Sequence, residues 1–237
     1  MIIKDAKVYL GEKDISGDLN TVALSYEAEM QDDTAMGDDT RSNKPGLTNV
    51  GVAMEGFVES DDAIEDLLWD KFTVAGEVLT VAPETGAAGE TAFSFKSLIA
   101  TYTPGGTVGD LLSFSSDANG TGSLYKGTVM ETGAKTVTAN GTARQLGAAA
   151  AGQKVYASLH VLAVSGTNPT LDVIVQSDDA SGFAAPTARI TFGQMSDIGA
   201  ELLTLDGPIT DDWWRVRFEI GGTGDPSFTF LVVVGIL

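Results

Sequence analysis

Cysteine is absent from this chain, so no disulfide framework, thiol nucleophile or thiolate metal site can exist in it. Histidine is nearly absent too: His160 is the only one, which excludes metal centres built on several imidazoles. A Ser-His-Asp triad would have to use that single ring, and no Gly-x-Ser-x-Gly elbow accompanies it. Positive charge is scarce, with 14 Lys+Arg against 33 Asp+Glu, a formal charge of −19. Such a surface repels phosphate backbones and disfavours nucleic-acid binding through neutralising contacts. No run approaches the roughly 20 apolar residues of a membrane helix, and no membrane partner is expected. Met1 is followed directly by an alternating segment holding Lys4, Asp5 and Lys7, so a soluble chain made in the cytoplasm without a leader is expected.

What the chain has is alternation. At 237 residues it is long enough for one large all-β domain or two ordinary ones. Period-two runs cover Met1–Leu10, Thr21–Met30, Val50–Glu59, Val78–Val81, Ala92–Thr101, Leu111–Ala118 and Leu124–Glu131, with Gly-containing gaps that favour hairpins. A short continuation is expected at Asp14–Ser16. One helix is predicted after Ser60, Asp61 and Asp62, which supply N-capping groups, with Glu65 three residues on and Ile64, Leu67, Leu68 and Phe72 at helical spacing. It would run about three turns, with Trp69 packed at its margin.

Between Gln31 and Leu47 lies a long polar excursion carrying Asp32, Asp33, Asp38, Asp39, Arg41 and Lys44, with Met36 almost its only apolar residue. A loop of that length inside a compact domain is either mobile or ordered against a partner, and an intersubunit role is expected.

Acidity is uneven: residues 1–132 hold 23 Asp+Glu against 8 Lys+Arg, whereas residues 133–237 hold 10 against 6. The composition turns to small residues around 133–142, which is taken as a linker. Beyond it, Val155–Val164, Leu171–Gln176, Ala188–Phe192, Trp214–Ile220 and Phe228–Ile236 are separated by Gly, Asn, Pro and Asp clusters, the pattern of a jelly-roll or immunoglobulin-like β-sandwich at 143–237.

Chemistry is thin. His160 reads as structural. Abundant carboxylates leave a two-carboxylate glycosidase compatible with composition alone, but they sit in loop doublets and at strand ends. Ser177-Asp178-Asp179 and Thr210-Asp211-Asp212 are weak calcium candidates, without an Asp-x-Asp-x-Asp-Gly loop. Gly105-Gly106-Thr107-Val108-Gly109 lacks the lysine of a phosphate loop. No enzyme activity, cofactor or resident metal is expected. Trp213 and Trp214, on opposite faces of one strand, are possible glycan contacts.

A wall along which DNA slides should be hydrophilic and weakly repulsive to phosphate, since Lys or Arg contacts would hold the cargo. A β-barrel closed from several copies supplies such a wall and removes sheet edges. Residues 21–59 and 111–131 have the required form. The Lys4-Asp5-Ala6-Lys7-Val8-Tyr9 strand, the acidic strand with its long loop, Pro45-Gly46-Leu47 leading into Val52-Ala53-Met54-Glu55-Gly56-Phe57, and the Tyr102–Gly109 turn together resemble the major tail proteins of long-tailed bacteriophages. The resemblance covers residues 1–132 and implies a tail-tube domain with a β-barrel or sandwich and one short helix. It implies a virion protein, assembled in the host cytoplasm, whose hexameric rings stack with one another, meet other tail proteins and conduct DNA without tight binding. It places Ser25, Glu27, Glu29, Glu55, Ser113, Ser115 and Asp117 on the lumen, and Met36, Arg41 and Lys44 between rings. Lys126 runs against an acidic lining. The carboxy-terminal sandwich would decorate the outside, with a head-decorating or adhesion protein that binds host glycans as the alternative.

Overall fold

The computed structural model describes residues 5–58 and 64–237. In chain order the strands are β1 (Lys7–Leu10), β2 (Lys13–Asp14), β3 (Leu19–Asp32) and β4 (Asn43–Phe57); after helix α1 (Ile64–Asp70) come β5 (Glu77–Ala82), β6 (Thr91–Gly105), β7 (Ser113–Gly120) and β8 (Tyr125–Lys135). The remainder are β9 (Ala139–Asn140), β10 (Arg144–Gln145), β11 (Lys154–Asp178), β12 (Thr187–Thr191), β13 (Gly199–Asp206) and β14 (Trp213–Ile236). The protein is mainly β with antiparallel pairing throughout the described ladders, as the alternation requires. Helix α1 is described over seven residues, about two turns. The expected capping residues Ser60, Asp61 and Asp62, like Glu59 and Met1–Lys4, lie outside the described residues.

Two compact units emerge, and they interleave along the chain: one comprises 1–17, 77–95 and 125–237, the other 18–76 and 96–124. Strand β6 contributes its beginning to the first and its remainder to the second. The stretch read as a linker, 133–142, is strand in part. Gly133–Lys135 of β8 and Ala139–Asn140 of β9 both pair with β14, and the Gly141 amide donates to Val216.

The first unit is built on one ribbon. The sequence divides β11 and β14 into two strands each, but each is continuous, and they pair from Val155↔Ile236 to Asp178↔Trp213. Register shifts between Val161 and Thr170 mark a bend, where Gly166, Asn168, Gly222, Gly224 and Asp225 all have positive φ. Turn-forming residues therefore fold the ribbon without ending it. The two halves close on each other: Val155, Leu159 and Val161 share a core with Val173, Val175, Trp214 and Val216, and the rings of Phe218 and Phe230 meet edge to face at 5.4 Å. The two layers belong to one continuous antiparallel sheet, doubled on itself, and not to a separate domain of two sheets at 143–237. The reverse face of its first half is also covered, where Leu231 and Val233 pack with Tyr9, Ala82, Ala92 and Val129. Among the described strands the sequence reading missed the short β9 and β10 and the longer β13, which pairs with β11 from Lys154↔Asp206 to Val161↔Gly199.

In the second unit β3, β4, β7 and the end of β6 form a four-stranded sheet in that order. Its apolar face buries Val50, Val52, Met54, Phe114, Ala118 and Ile99. Helix α1 belongs to this side: its buried residues are Ile64, Leu67 and Leu68, the following Phe72 bridges Ile99, and Glu65 acts on the Tyr102 phenol, whose pKa is raised by burial and then by that carboxylate.

Candidate assembly surface

Paired residues of an antiparallel ladder share a face, so the register assigns each side chain of the second unit's sheet. Thr21, Glu55, Ser115 and Thr103 lie in one row across β3, β4, β7 and β6; Ala23, Ala53, Asp117 and Thr101 form the next. Ser25, Gly51 and Asn119 follow, then Glu27 opposite Asn49. Five of the residues expected on a lumen, Ser25, Glu27, Glu55, Ser115 and Asp117, therefore stand together on one exposed face. Ser113, opposite Phe57, joins them half-buried and donates from its hydroxyl to the Gly105 carbonyl at 2.8 Å. Glu29 is exposed at an irregularity, where the register shifts so that it stands opposite both Gly46 and Leu47.

This face is cationless in its ladder positions and low in relief. A shallow groove along it is lined by Ala23, Ser25, Asn49, Gly51, Ala53, Asp117 and Asn119, all small or short. Thr101 fixes Asp117, donating Oγ1–H to Oδ2 at 2.7 Å while accepting the Asp117 amide at 2.9 Å. Lys126 does not belong here: it lies on β8, in the other unit, and pairs with Phe93 of β6. The sequence placed β8 as the last strand of the acidic set, and its pairing with β14 removes it from that set.

The sheet has open edges. Among the described strands β3 pairs with β4 alone. Beyond Ile99, which Phe72 bridges, the side of β6 away from β7 carries no strand among the described residues. Exposed edges of this length are templates for pairing with another chain.

The long loop is shorter than its sequence suggested. Residues 31–32 and 43–47 extend β3 and β4 as a ladder, with Gln31↔Lys44 and Asp32↔Asn43, so only 33–42 form the turn. Every residue from Ser25 to Asp32 and from Asn43 to Asn49 is exposed, making a two-stranded arm wetted on both sides. Apolar alternation is missing because neither side meets a core. The tip is internally bonded: Asp32 accepts the Thr34 amide at 3.0 Å, Asp38 accepts the Ala35 amide at 2.8 Å, and the Thr34 hydroxyl accepts the Ser42 amide at 3.0 Å. The Thr34 hydroxyl and amide hold the Asp32 carboxyl below its ordinary range, and Lys44 and then Ser42 do the same for Asp33. Of the expected inter-ring residues, Met36 and Arg41 are exposed on the turn, whereas Lys44 is held within the arm by Asp33 at 2.7 Å. Tyr26, Met30 and Leu47 add exposed apolar surface along it.

The other candidates resolve differently. Trp214 is fully buried and donates its indole N–H to the Gly147 carbonyl at 2.8 Å, so it has no face for a glycan; Trp213 is half-buried. The two calcium candidates meet, but around a guanidinium: Arg189 donates to Asp211 at 2.8 Å and to the Ser177 hydroxyl at 2.7 Å, while Asp178 accepts the Ala180 and Ala185 amides. The Ser177 hydroxyl and Arg189 hold the Asp211 carboxyl below its usual range. Among the described residues no group of three or more His, Asp or Glu is arranged to hold a metal.

No family model matches the chain, and no curated protein matches it. Solved structures do. A protein of the native gene transfer agent virion is 16% identical, with 52% of this chain and 96% of that one covered at a TM-score of 0.43. The SPP1 tail tube protein is 12% identical over 53% of this chain and 78% of that one, at 0.44. The SPP1 Dit protein, described as a hub of the adsorption apparatus, is 13% identical over 99% of this chain and 100% of that one, at 0.43. The chain is similar to proteins of phage tails and tail-like particles, tube and hub alike.

Proposed function

We propose that this chain is a structural tail protein of a virion, without catalytic activity, that assembles as stacked hexameric rings around a channel for DNA. The observation that carries the reading is the four-stranded sheet whose one face is exposed, small-residued and acidic and whose two edges are open. Pairing β3 of one copy with β6 of the next satisfies both edges, and six copies would close about 24 strands, beyond the 16 to 18 that already leave an aqueous bore. In such a ring Ser25, Glu27, Glu29, Glu55, Ser113, Ser115 and Asp117 line the lumen, where repulsion of phosphate keeps DNA mobile. The arm reaches the adjacent ring with Met36 and Arg41 at its tip; Lys44 acts from within the arm by holding Asp33. We keep residues 1–132 as the source of the ring-forming part and the doubled ribbon of 143–237 as its external decoration, with other tail proteins at the ends of the stack and assembly in the host cytoplasm.

Electron microscopy of the concentrated full chain tests this directly. Rings with a central pore are expected, and replacing 33–42 by Asn-Gly is expected to leave rings while abolishing stacks. A strictly monomeric species under all conditions, or stacks that survive the replacement, overturns the ring or the arm assignment respectively. The glycan-binding reading now rests on Trp213 alone; glycan-array binding abolished by Trp213→Ala would support it.

A further inference from the structure

We propose that His160 is an acid-operated latch of the first unit, holding the β1–β2 turn and β5 against β11 while neutral and releasing them when it takes up a second proton. The ring is wholly buried on β11. Its Nδ1 lies 2.7 Å from the Gly11 carbonyl oxygen, which can only accept, so Nδ1 carries the proton. Its Nε2, 2.8 Å from Thr80 Oγ1, must then accept the Thr80 hydroxyl proton. Thr80 Oγ1 in turn lies 2.8 Å from Ser94 Oγ, and Ser94 Oγ lies 3.0 Å from Ser158 Oγ. With the Thr80 proton committed to the imidazole, the chain has one direction: Ser158 donates to Ser94, Ser94 to Thr80, Thr80 to His160, and His160 to Gly11.

A second proton on the ring breaks this order. Imidazolium has a donor at each nitrogen, so Nε2–H would face the Thr80 O–H donor to donor. Relief requires the Thr80 O–H to turn away from Nε2 and give up its present acceptor, or else the ring to leave. The Gly11 carbonyl favours the cation, and burial opposes it. A chain of hydroxyls, Thr80 of β5, Ser94 of β6 and Ser158 of β11, runs from its Nε2, and its register partners are Ala200 of β13 and Leu231 of β14. Tyr9 of β1, with ring centroids 5.7 Å apart, is the titratable neighbour; burial and then Asp14 push its phenol up to about 12, so it stays neutral. On the same side of the chain Glu12 and Lys13 belong to the turn, and Asp14 pairs with Lys7 at 3.4 Å. Burial pushes the His160 pKa down to about 4 against the opposing pull of the Gly11 carbonyl.

The opened form, with an ordinary imidazole, binds the proton first. Its population relative to the closed form therefore rises up to tenfold per pH unit as pH falls from about 6.5 to about 4, and is flat above that window. The turn is where it shows, because the Gly11 amide also bonds the Val78 carbonyl at 2.8 Å and the Ile15 amide bonds Val8 at 3.0 Å.

Amide hydrogen exchange of residues 8–15, expressed as protection relative to the unstructured peptide, is followed from pH 7 to 4 in the full chain and in His160→Gln. Protection in the wild type is expected to fall up to tenfold per unit, while the glutamine variant, which donates and accepts without titrating, shows no such slope. Parallel slopes overturn the proposal. Should the variant not fold, 15N resonances of the wild-type imidazole decide: a neutral ring protonated at Nδ1 at pH 6 is expected, and imidazolium or the Nε2–H tautomer there overturns it.

Discussion

Trp213 and Trp214 differ by one position and by almost everything else. Trp214 lies in the doubled ribbon's core with its N–H spent on Gly147, so Trp214→Ala should cost about 3–5 kcal/mol through the cavity and the orphaned carbonyl, read as a lowered denaturant midpoint. Trp213→Ala, on the half-buried face, should cost markedly less. The sequence predicted that the two point opposite ways, because strand periodicity is strict. Trp214 shares the core-facing side with Val216 and Phe218. The same parity argument made the acidic face legible at Glu27, Glu55 and Asp117. What it could not convey was Arg189: a guanidinium brought from twelve residues beyond Ser177 leaves no sign in the spacing of the acidic doublets.

At the level of elements, the misread boundaries share a cause. Gly, Asn and Pro at 165–170 and 221–227 are turn formers, and a local reading ends strands there. The paired partner across the ribbon carries them through as a bend instead. In the arm the reverse happened. Residues 31–32 and 43–47 look like loop because alternation records burial on one side, and these residues have burial on neither. An isolated two-stranded ribbon is marginal in water. Amides of 25–32 and 43–49 should therefore exchange within seconds to minutes in unassembled protein and become protected in assembled stacks; protection unchanged by assembly would count against arm docking. The Asp33–Lys44 pair, with the lysine side chain 75% exposed, should add little to folding, so Lys44→Ala is expected to leave the thermal midpoint nearly unchanged.

For the whole molecule the charge of −19 sets the conditions of association. Copies bearing this charge repel one another at long range, and salt shortens that range to about 8 Å at physiological ionic strength. Assembly followed by light scattering should accordingly speed up between about 20 mM and 300 mM NaCl. Slowing with salt would point instead to attraction between opposite charges as the force that joins copies. Substituting lysine at both Glu55 and Asp117 should leave the fold intact, since both side chains are solvent-facing, and should retard DNA release from assembled particles.

The core that joins Tyr9 to Leu231 and Val233 brings together strands β1 and β14, far apart in sequence. Strand β1 can pair with β2 and β5 early in synthesis, but that cluster closes only once β14 has been delivered. Products interrupted before β14 should lack a closed interior there and be degraded quickly, which keeps them out of the pool available for assembly.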